Sequence, residues 1–154
     1  MDEGHIRDLM RSKNIGCFLP THRDGLPFEE SEGGQYVLLA QLRKELGRIF
    51  KQEFPSGFIL CGMTPFQVLA AEQLLRMTRA KKLTLAVIVT GDENQLLTKE
   101  WYNRFYDRVF CRIKEENRIC EPNAYTPAGL EELLLNVCRI RISYQPECGM
   151  ILWG

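Results

Sequence analysis

The stretch Phe58–Val89 decides the fold class, and it reads F-I-L-C-G-M-T-P-F-Q-V-L-A-A-E-Q-L-L-R-M-T-R-A-K-K-L-T-L-A-V-I-V. It opens with a short apolar run, F-I-L-C, and ends with the clearest buried strand of the chain, Leu83–Val89. Between the two runs, Thr64 suits the N-cap of a helix, Pro65 suits its first position, and Gln67 can complete a capping box. A strand, a helix and a second strand in this order predict a βαβ unit, whose two strands are parallel.

The same alternation continues on both sides of this unit. Apolar runs at 14–19 and 109–113 predict two further strands, and the alternating R-I-R-I-S-Y at 139–144 predicts a half-exposed or edge strand. Further helices are predicted from apolar spacing and threonine caps, and they run from Gln35 to Phe50, from Thr98 to Tyr106 and from Thr126 to Leu135.

These elements predict one Rossmann-like α/β domain over residues 14–154, with a mainly parallel sheet and helices on both faces. Short strands that are apolar throughout favour a sheet that is covered on both sides. Residues 1–13 are predicted to form an N-terminal extension. In sheets of this kind, ligands bind at the carboxyl ends of the strands, near the point where the strand order reverses.

The composition argues against several classes of protein. The chain has 154 residues, of which 45% are hydrophobic and 26% charged, as in average soluble globular proteins. Its 20 Lys and Arg residues balance its 20 Asp and Glu residues, which argues against a mainly electrostatic nucleic-acid binder. The sequence has no apolar run of about 18 residues and no apolar signal segment near Met1. We therefore expect no membrane span and no secretory signal, and we expect a cytoplasmic location.

Motifs for metals and for common cofactors are missing from the sequence. The six cysteines include no C-x-x-C pair, and we interpret most of them as buried free thiols. Two histidines are too few for a histidine-rich metal site. Neither G-x-G-x-x-G nor G-x-x-x-x-G-K-[ST] occurs, which excludes the common dinucleotide fingerprint and the Walker A loop. We therefore expect no metal and no resident cofactor.

Chemistry-bearing residues follow each of the first three predicted strands. After the first strand come Thr21, His22 and Arg23, after the second Gly62, Met63 and Thr64, and after the third Thr90, Gly91, Asp92 and Gln95. An arginine suits a phosphate or carboxylate, helix N-terminal amides suit an anion, and carboxylate and amide groups suit sugar hydroxyls or base edges. Because the carboxyl ends of parallel strands meet at one edge, these segments together predict a nucleotide-like ligand.

Each of these residues also has a plain structural interpretation. His22 and Arg23 can serve only to hold their loop, and Thr64 can serve only as a helix cap. Glu72, two turns into the second helix, can be a surface charge. The aromatic residues from Trp101 to Tyr106 are more typical of a core than of a platform on which bases stack.

Several of these segments together resemble one known family. The resemblance is to the SLOG superfamily, which groups the SMF/DprA and LOG proteins, and it is closest to the YpsA-like branch. It covers roughly residues 14–115 and is carried by Pro20-Thr21-His22-Arg23, Cys61-Gly62-Met63-Thr64, Ala70-Ala71-Glu72, Gln95 and Trp101.

The chain departs from the pattern of that branch at two loops. Thr21 stands where the branch has the Gly of Thr-Gly-His-Arg. The segment Pro65–Val68 stands where the branch has a Gly and an Asp before Ala-Ala-Glu, and the second loop is one residue shorter. Bulky residues there prevent the close approach of a phosphate that a Gly allows. The departures favour a binding role over a catalytic one.

The resemblance implies a nucleotide or a nucleotide-derived small molecule as the ligand at the carboxyl ends of the strands. The positions after the strands and the resemblance together give the expected ligand-binding residues, which are His22, Arg23, Gly62, Met63, Thr64, Gly91, Asp92 and Gln95. We interpret the chain as a non-catalytic binding module. Three alternatives stay open: a phosphoribohydrolase-like enzyme with Glu72 as its catalytic acid, a single-stranded nucleic-acid binder, and a domain that works only through protein contacts. Related proteins often pair, and the apolar helix faces permit a homodimer.

Overall fold

A computed structural model describes residues 14–21, 32–78, 83–90, 96–119 and 126–154. Within these residues the chain forms, in order, β1 (Ile15–Phe18), α1 (Glu32–Gln52), β2 (Gly57–Cys61), α2 (Pro65–Met77), β3 (Thr84–Ile88), α3 (Lys99–Arg108), β4 (Arg118–Ile119), α4 (Pro127–Val137), β5 (Ile140–Gln145) and β6 (Met150–Trp153). Two 3-10 turns, Phe110–Arg112 and Glu115–Asn117, lie between α3 and β4. The predicted N-terminal extension, residues 1–13, lies outside the described residues.

The strands form one sheet in the order β4-β3-β2-β1-β5-β6. Neighbouring strands from β4 across to β5 are parallel, and β6 runs antiparallel as the hairpin partner of β5. The predicted Rossmann-like α/β fold with a mainly parallel sheet is thereby confirmed.

The direction of each crossover determines which face of the sheet its helix covers. From β1 to β4 the chain steps along the sheet in one direction, so right-handed crossovers place α1, α2 and α3 on the same face. The connection from β4 to β5 runs back across the sheet, and the same handedness places α4 on the opposite face. The sheet therefore has a hydrophobic core on each face, and successive residues of β2 point alternately into one core and the other. Phe58 and Leu60 pack with α1, α2 and α3, and Ile59 and Cys61 pack with α4.

The strand predicted at 109–113 is wrong. Val109 ends α3, and Phe110–Arg112 forms a 3-10 turn. The buried residues of this segment are Val109, Phe110 and Ile113, which is a helical spacing. A short apolar run cannot distinguish a buried strand from a helical turn by its composition alone. The fourth strand is instead the two-residue β4.

The strand predicted at 139–144 forms as β5, but it does not lie at the edge of the sheet. It is half-exposed because only one of its faces is covered well, so that Ile140 and Ile142 are buried while Arg141 is exposed. The edge strand on this side of the sheet is β6, for which no strand was predicted. Gly149 turns the chain from β5 into β6 with a φ of +63°, a conformation that favours glycine.

Candidate functional site

The strand order reverses at β1, because β2 lies on one side of β1 and β5 on the other. In open parallel sheets the crevice beyond such a reversal is where ligands bind. We call the edge at which the parallel strands end the carboxyl edge. The residues that follow β1, β2 and β3 at this edge therefore form the candidate site.

Buried threonines are found at the ends of three adjacent strands. Thr21 follows β1, Thr64 follows β2 and Thr90 follows β3, and each is at most 9% exposed. Buried polar side chains are uncommon and need hydrogen-bond partners. Their position at the carboxyl edge makes this edge the polar end of an otherwise apolar sheet.

Gln67, which is 1% exposed, links the ends of β1 and β2. Its Oε1 accepts hydrogen bonds from the backbone N–H groups of Met63 and Thr64, both at 3.0 Å. Its Nε2 donates to the carbonyl oxygen of Phe18 at 2.9 Å. The capping role predicted for Gln67 is confirmed, and the same side chain also joins two strand ends.

This network changes the anion site that was predicted at the second loop. The amides of Met63 and Thr64 were expected to meet an anion, but they already donate to the side-chain oxygen of Gln67. Pro65 has no N–H to offer at the first position of α2. An anion could therefore use these two amides only if the carboxamide of Gln67 moved away.

The hydroxyl of Thr21 is buried, and it has no hydrogen-bond partner among the residues that the structure describes. Its backbone N–H donates to Thr64 Oγ1 at 3.3 Å, and Thr64 Oγ1 in turn lies 3.4 Å from Gln67 Oε1. The hydroxyl of Thr64 thus makes hydrogen bonds within the described segments, whereas Thr21 Oγ1 makes none there. An unpaired hydroxyl at a ligand-binding edge can make a hydrogen bond to a bound molecule.

Gly62 owes its identity to packing. A Cβ at this position would lie 2.7 Å from ring atoms of Phe105, which is a buried residue of α3. Real side-chain contacts do not come so close, so any larger residue would push α3 away from the end of β2. The glycine therefore lets helix and strand approach each other.

Glu72 is a buried partner of two arginines and not a surface charge. Its side chain is 6% exposed and accepts two hydrogen bonds from Arg104, Nε to Oε1 at 2.9 Å and Nη2 to Oε2 at 2.7 Å. Arg108 lies 3.6 Å from Oε1. The guanidinium of Arg104 also lies 5.1 Å from the centre of the Trp101 ring. The carboxylate therefore connects α2 to α3.

The structure places only part of the predicted site. Gly62, Met63 and Thr64 lie together at the carboxyl edge, and Glu72 lies farther along α2. The other predicted ligand-binding residues, His22, Arg23, Gly91, Asp92 and Gln95, lie outside the described residues. Sequence reasoning missed the tie from Gln67 to β1 and the partnership of Glu72 with Arg104. Neither has a sequence signal, because the partners are far apart in the chain.

Three cysteines line the core on the α4 side. Cys17, Cys61 and Cys138 are buried there as free thiols. A hydrogen bond with Cys138, together with burial, raises the pKa of Cys17 well above its ordinary value, and burial raises the pKa of Cys61. A thiol that stays protonated is a poor nucleophile, so these two are structural residues of the core.

Two observations complete the description of the described segments. No helix in them is both long enough and apolar enough to span a bilayer. Nor do His, Cys, Asp and Glu side chains in these segments come together in a group of three or more that could hold a metal.

No model of a protein family matches the chain, and no curated protein matches it significantly. The geometry defines its class as a Rossmann-like α/β domain with buried polar side chains at the carboxyl edge of the sheet.

Proposed function

We propose that the chain is a non-catalytic binding module for a nucleotide or a nucleotide-derived small molecule, held at the carboxyl edge in a cytoplasmic protein. The observation that carries the proposal is the buried hydroxyl of Thr21 beside the reversal point of the sheet, which has no hydrogen-bond partner in the described part of the chain. An unsatisfied buried polar group costs about 1–3 kcal/mol, so a ligand that supplies the missing hydrogen bond is stabilised by it. The resemblance to the SLOG superfamily supports the same class of ligand.

The anionic part of the ligand is assigned to His22 and Arg23. Both follow Thr21 directly in the chain, and a guanidinium group can make two parallel hydrogen bonds to a phosphate or carboxylate. Asp92 and Gln95, which follow β3 in the chain, are assigned to the sugar or the base. The amides of Met63 and Thr64 are occupied by Gln67, so the proposal does not depend on them.

The contacts of Glu72 support binding without catalysis. Both of its carboxylate oxygens accept hydrogen bonds from Arg104, which leaves the group committed to holding two helices together. We expect no release of free base from nucleoside monophosphates, as measured by chromatography after prolonged incubation. Release by the wild-type chain that is lost in Glu72→Gln would replace this proposal with the phosphoribohydrolase-like enzyme.

The aromatic residues of α3 and of the 3-10 turn that follows it support a small ligand over a nucleic acid. Tyr102, Tyr106 and Phe110 stack on one another, with ring centres 6.4 and 4.9 Å apart. Single-strand binding needs aromatic faces that bases can reach, together with a basic groove. Here Tyr106 stacks with both Tyr102 and Phe110, and the 20 basic and 20 acidic residues of the chain balance.

Calorimetry with a panel of nucleotides tests the proposal. A charge-assisted hydrogen bond contributes about 1.5–3 kcal/mol, so we expect Arg23→Ala to weaken binding roughly tenfold to a hundredfold. Arg76→Ala is the matched control, because Arg76 is an exposed arginine in the last turn of α2, away from the carboxyl edge. The proposal is wrong if no nucleotide binds, or if Arg23→Ala and Arg76→Ala bind as well as the wild type.

Thr21→Val provides a second and independent measurement. It removes the unpaired hydroxyl while keeping the shape of the side chain, so the free energy of unfolding should stay the same or rise. If the ligand uses this hydroxyl, the same variant should bind about fivefold more weakly or worse. A variant that binds as tightly as the wild type would exclude Thr21 from the site.

A further inference from the structure

The two edges of the sheet are protected to different degrees. β4 forms one edge, and it pairs with β3 only at Arg118 and Ile119. β6 forms the other edge, and its sequence Met-Ile-Leu-Trp contains no charge and no proline. Edge strands of natural proteins usually carry charges or proline or are very short, because open backbone groups pair readily with other strands. β6 carries neither a charge nor a proline.

The pairing of β5 with β6 shows which backbone groups of β6 face outward. Arg141 and Gly154 exchange both hydrogen bonds, with N···O distances of 3.2 and 3.3 Å. Pairs of this kind alternate along an antiparallel ladder with pairs whose backbone groups point away. The N–H and C=O groups of Ile151 and Trp153 therefore face the open edge. Among the described residues, these groups have no partner.

One face of β6 packs against the rest of the domain, and the other face carries exposed apolar side chains. Ile151 is buried, and the indole N–H of Trp153 donates to Glu45 Oε2 of α1 at 2.9 Å. On the opposite face, Met150 is 53% and Leu152 48% exposed. The edge is thus a firmly held strand with exposed apolar side chains.

We infer that β6 is a dimerisation edge, to which a second copy of the chain adds its own β6 in antiparallel orientation. A two-fold axis at Leu152 places Ile151 of one copy opposite Trp153 of the other. Each such pair can then exchange both of its hydrogen bonds. The two Leu152 side chains lie directly opposite each other and cover part of each other's exposed surface. The sheets of the two copies become one continuous sheet.

Symmetry and charge favour a second copy as the partner. In a two-fold interface the same patch serves both chains. The outward N–H groups of one β6 can therefore pair with the outward C=O groups of the other. The side chains of β6 are neutral, and the 20 basic and 20 acidic residues of the chain balance, so two copies do not repel each other. The inference is independent of the proposed function, because β6 contributes no residue to the carboxyl-edge site.

Analytical ultracentrifugation over a range of concentrations tests this inference. We expect the mass to rise from 17.9 kDa toward twice that value as the concentration increases. Leu152→Lys sets two like charges directly opposite each other, and we expect it to weaken the dimer by about tenfold or more. Leu135→Lys makes the same change on α4, where Leu135 is 40% exposed, and should leave the dimer unchanged.

A mixture of two variants distinguishes lost pairing from lost folding. Leu152→Glu and Leu152→Lys place opposite charges across the axis, so we expect their mixture to dimerise more tightly than either variant alone. The inference is overturned by a wild-type chain that stays monomeric at its highest soluble concentration, or by a dimer that Leu152→Lys does not weaken. It is also overturned if Leu135→Lys weakens the dimer equally, or if the mixture dimerises no more tightly than either variant alone.

Discussion

At the residue scale, two positions of the carboxyl edge are explained by neighbours that are distant in sequence. Gly62 makes room for the ring of Phe105, which lies 2.7 Å from where a Cβ would stand. Gln67 satisfies two amides of its own loop and donates to the carbonyl oxygen of Phe18. Both positions therefore stabilise the fold at the same edge that we assign to the ligand.

The first prediction concerns the packing of Gly62. We expect Gly62→Ala to lower the free energy of unfolding by about 1–3 kcal/mol, because the added methyl group meets a buried ring. Urea denaturation measures the change. In a Phe105→Leu background the methyl group finds more room, so the cost of Gly62→Ala should be smaller there. Equal costs in both backgrounds would show that the ring is not what Gly62 accommodates.

The second prediction concerns the reactivity of the thiols. In the native chain we expect iodoacetamide to label the exposed Cys111 and Cys148, but not the buried Cys17, Cys61 and Cys138. Raising the pH to about 9 should not make Cys17 or Cys61 react, because their raised pKa keeps them protonated.

Peptide mapping by mass spectrometry identifies the labelled sites. After denaturation without reductant, all six cysteines should react. Labelling of native Cys17 or Cys61 as fast as Cys111 would contradict the burial on which this prediction rests.

At the scale of elements, the ion pair of Glu72 and Arg104 joins α2 to α3 through two short hydrogen bonds. Removal of one partner of a buried pair leaves the other charge in a poor environment. We therefore expect Arg104→Ala to lower the free energy of unfolding by about 2–4 kcal/mol, because Arg108 at 3.6 Å is too distant to replace it fully.

The pair Glu45 and Arg48 is the matched comparison, since both residues lie on α1 and Arg48 is 53% exposed. Exposed pairs contribute little, so Arg48→Ala should change the free energy of unfolding by about 0.5 kcal/mol or less. Chemical denaturation of both variants measures the contrast. Similar small effects of the two substitutions would mean that Glu72 and Arg104 do not hold the helices together.

At the scale of the whole molecule, the buried thiols make stability depend on pH. An ordinary thiol has a pKa of 9.0, and burial raises the pKa of Cys61 in the folded chain, as a hydrogen bond with Cys138 and burial do for Cys17. Above that pH the unfolded chain loses protons that the folded chain retains. The free energy of unfolding therefore falls as the pH rises, and the contribution is fully present below the ordinary pKa.

We expect this decline to reach up to about 1.4 kcal/mol per pH unit for each of the two thiols. Urea denaturation at a series of pH values from about 8.5 to about 10.5 measures this decline in the free energy of unfolding. Cys61→Val removes one titrating group and keeps an apolar side chain, so its stability should decline less steeply. An unchanged slope in Cys61→Val would exclude this thiol as a cause.

Local patterns predicted the central part of the fold. The βαβ unit of β2, α2 and β3 was predicted because a buried strand and an amphipathic helix each leave their own period in the sequence. The start of α2 was predicted from Thr64, Pro65 and Gln67, whose chemistry suits a helix N-terminus. Three short segments were not predicted correctly: the run at 109–113 is helical, and β4 and β6 were missed.

The sequence by itself thus determined the Rossmann-like class and the helix start that follows β2. Only the tertiary structure decided that α4 covers the opposite face, that Gln67 accepts hydrogen bonds from the amides of Met63 and Thr64, and that Glu72 is paired with Arg104. The physical reason is that periodicity and capping depend on residues within one turn or strand. Contacts such as these join residues that are far apart in the chain. Whether such residues come close in space is determined by the right-handed crossovers and by the packing of helices on the sheet.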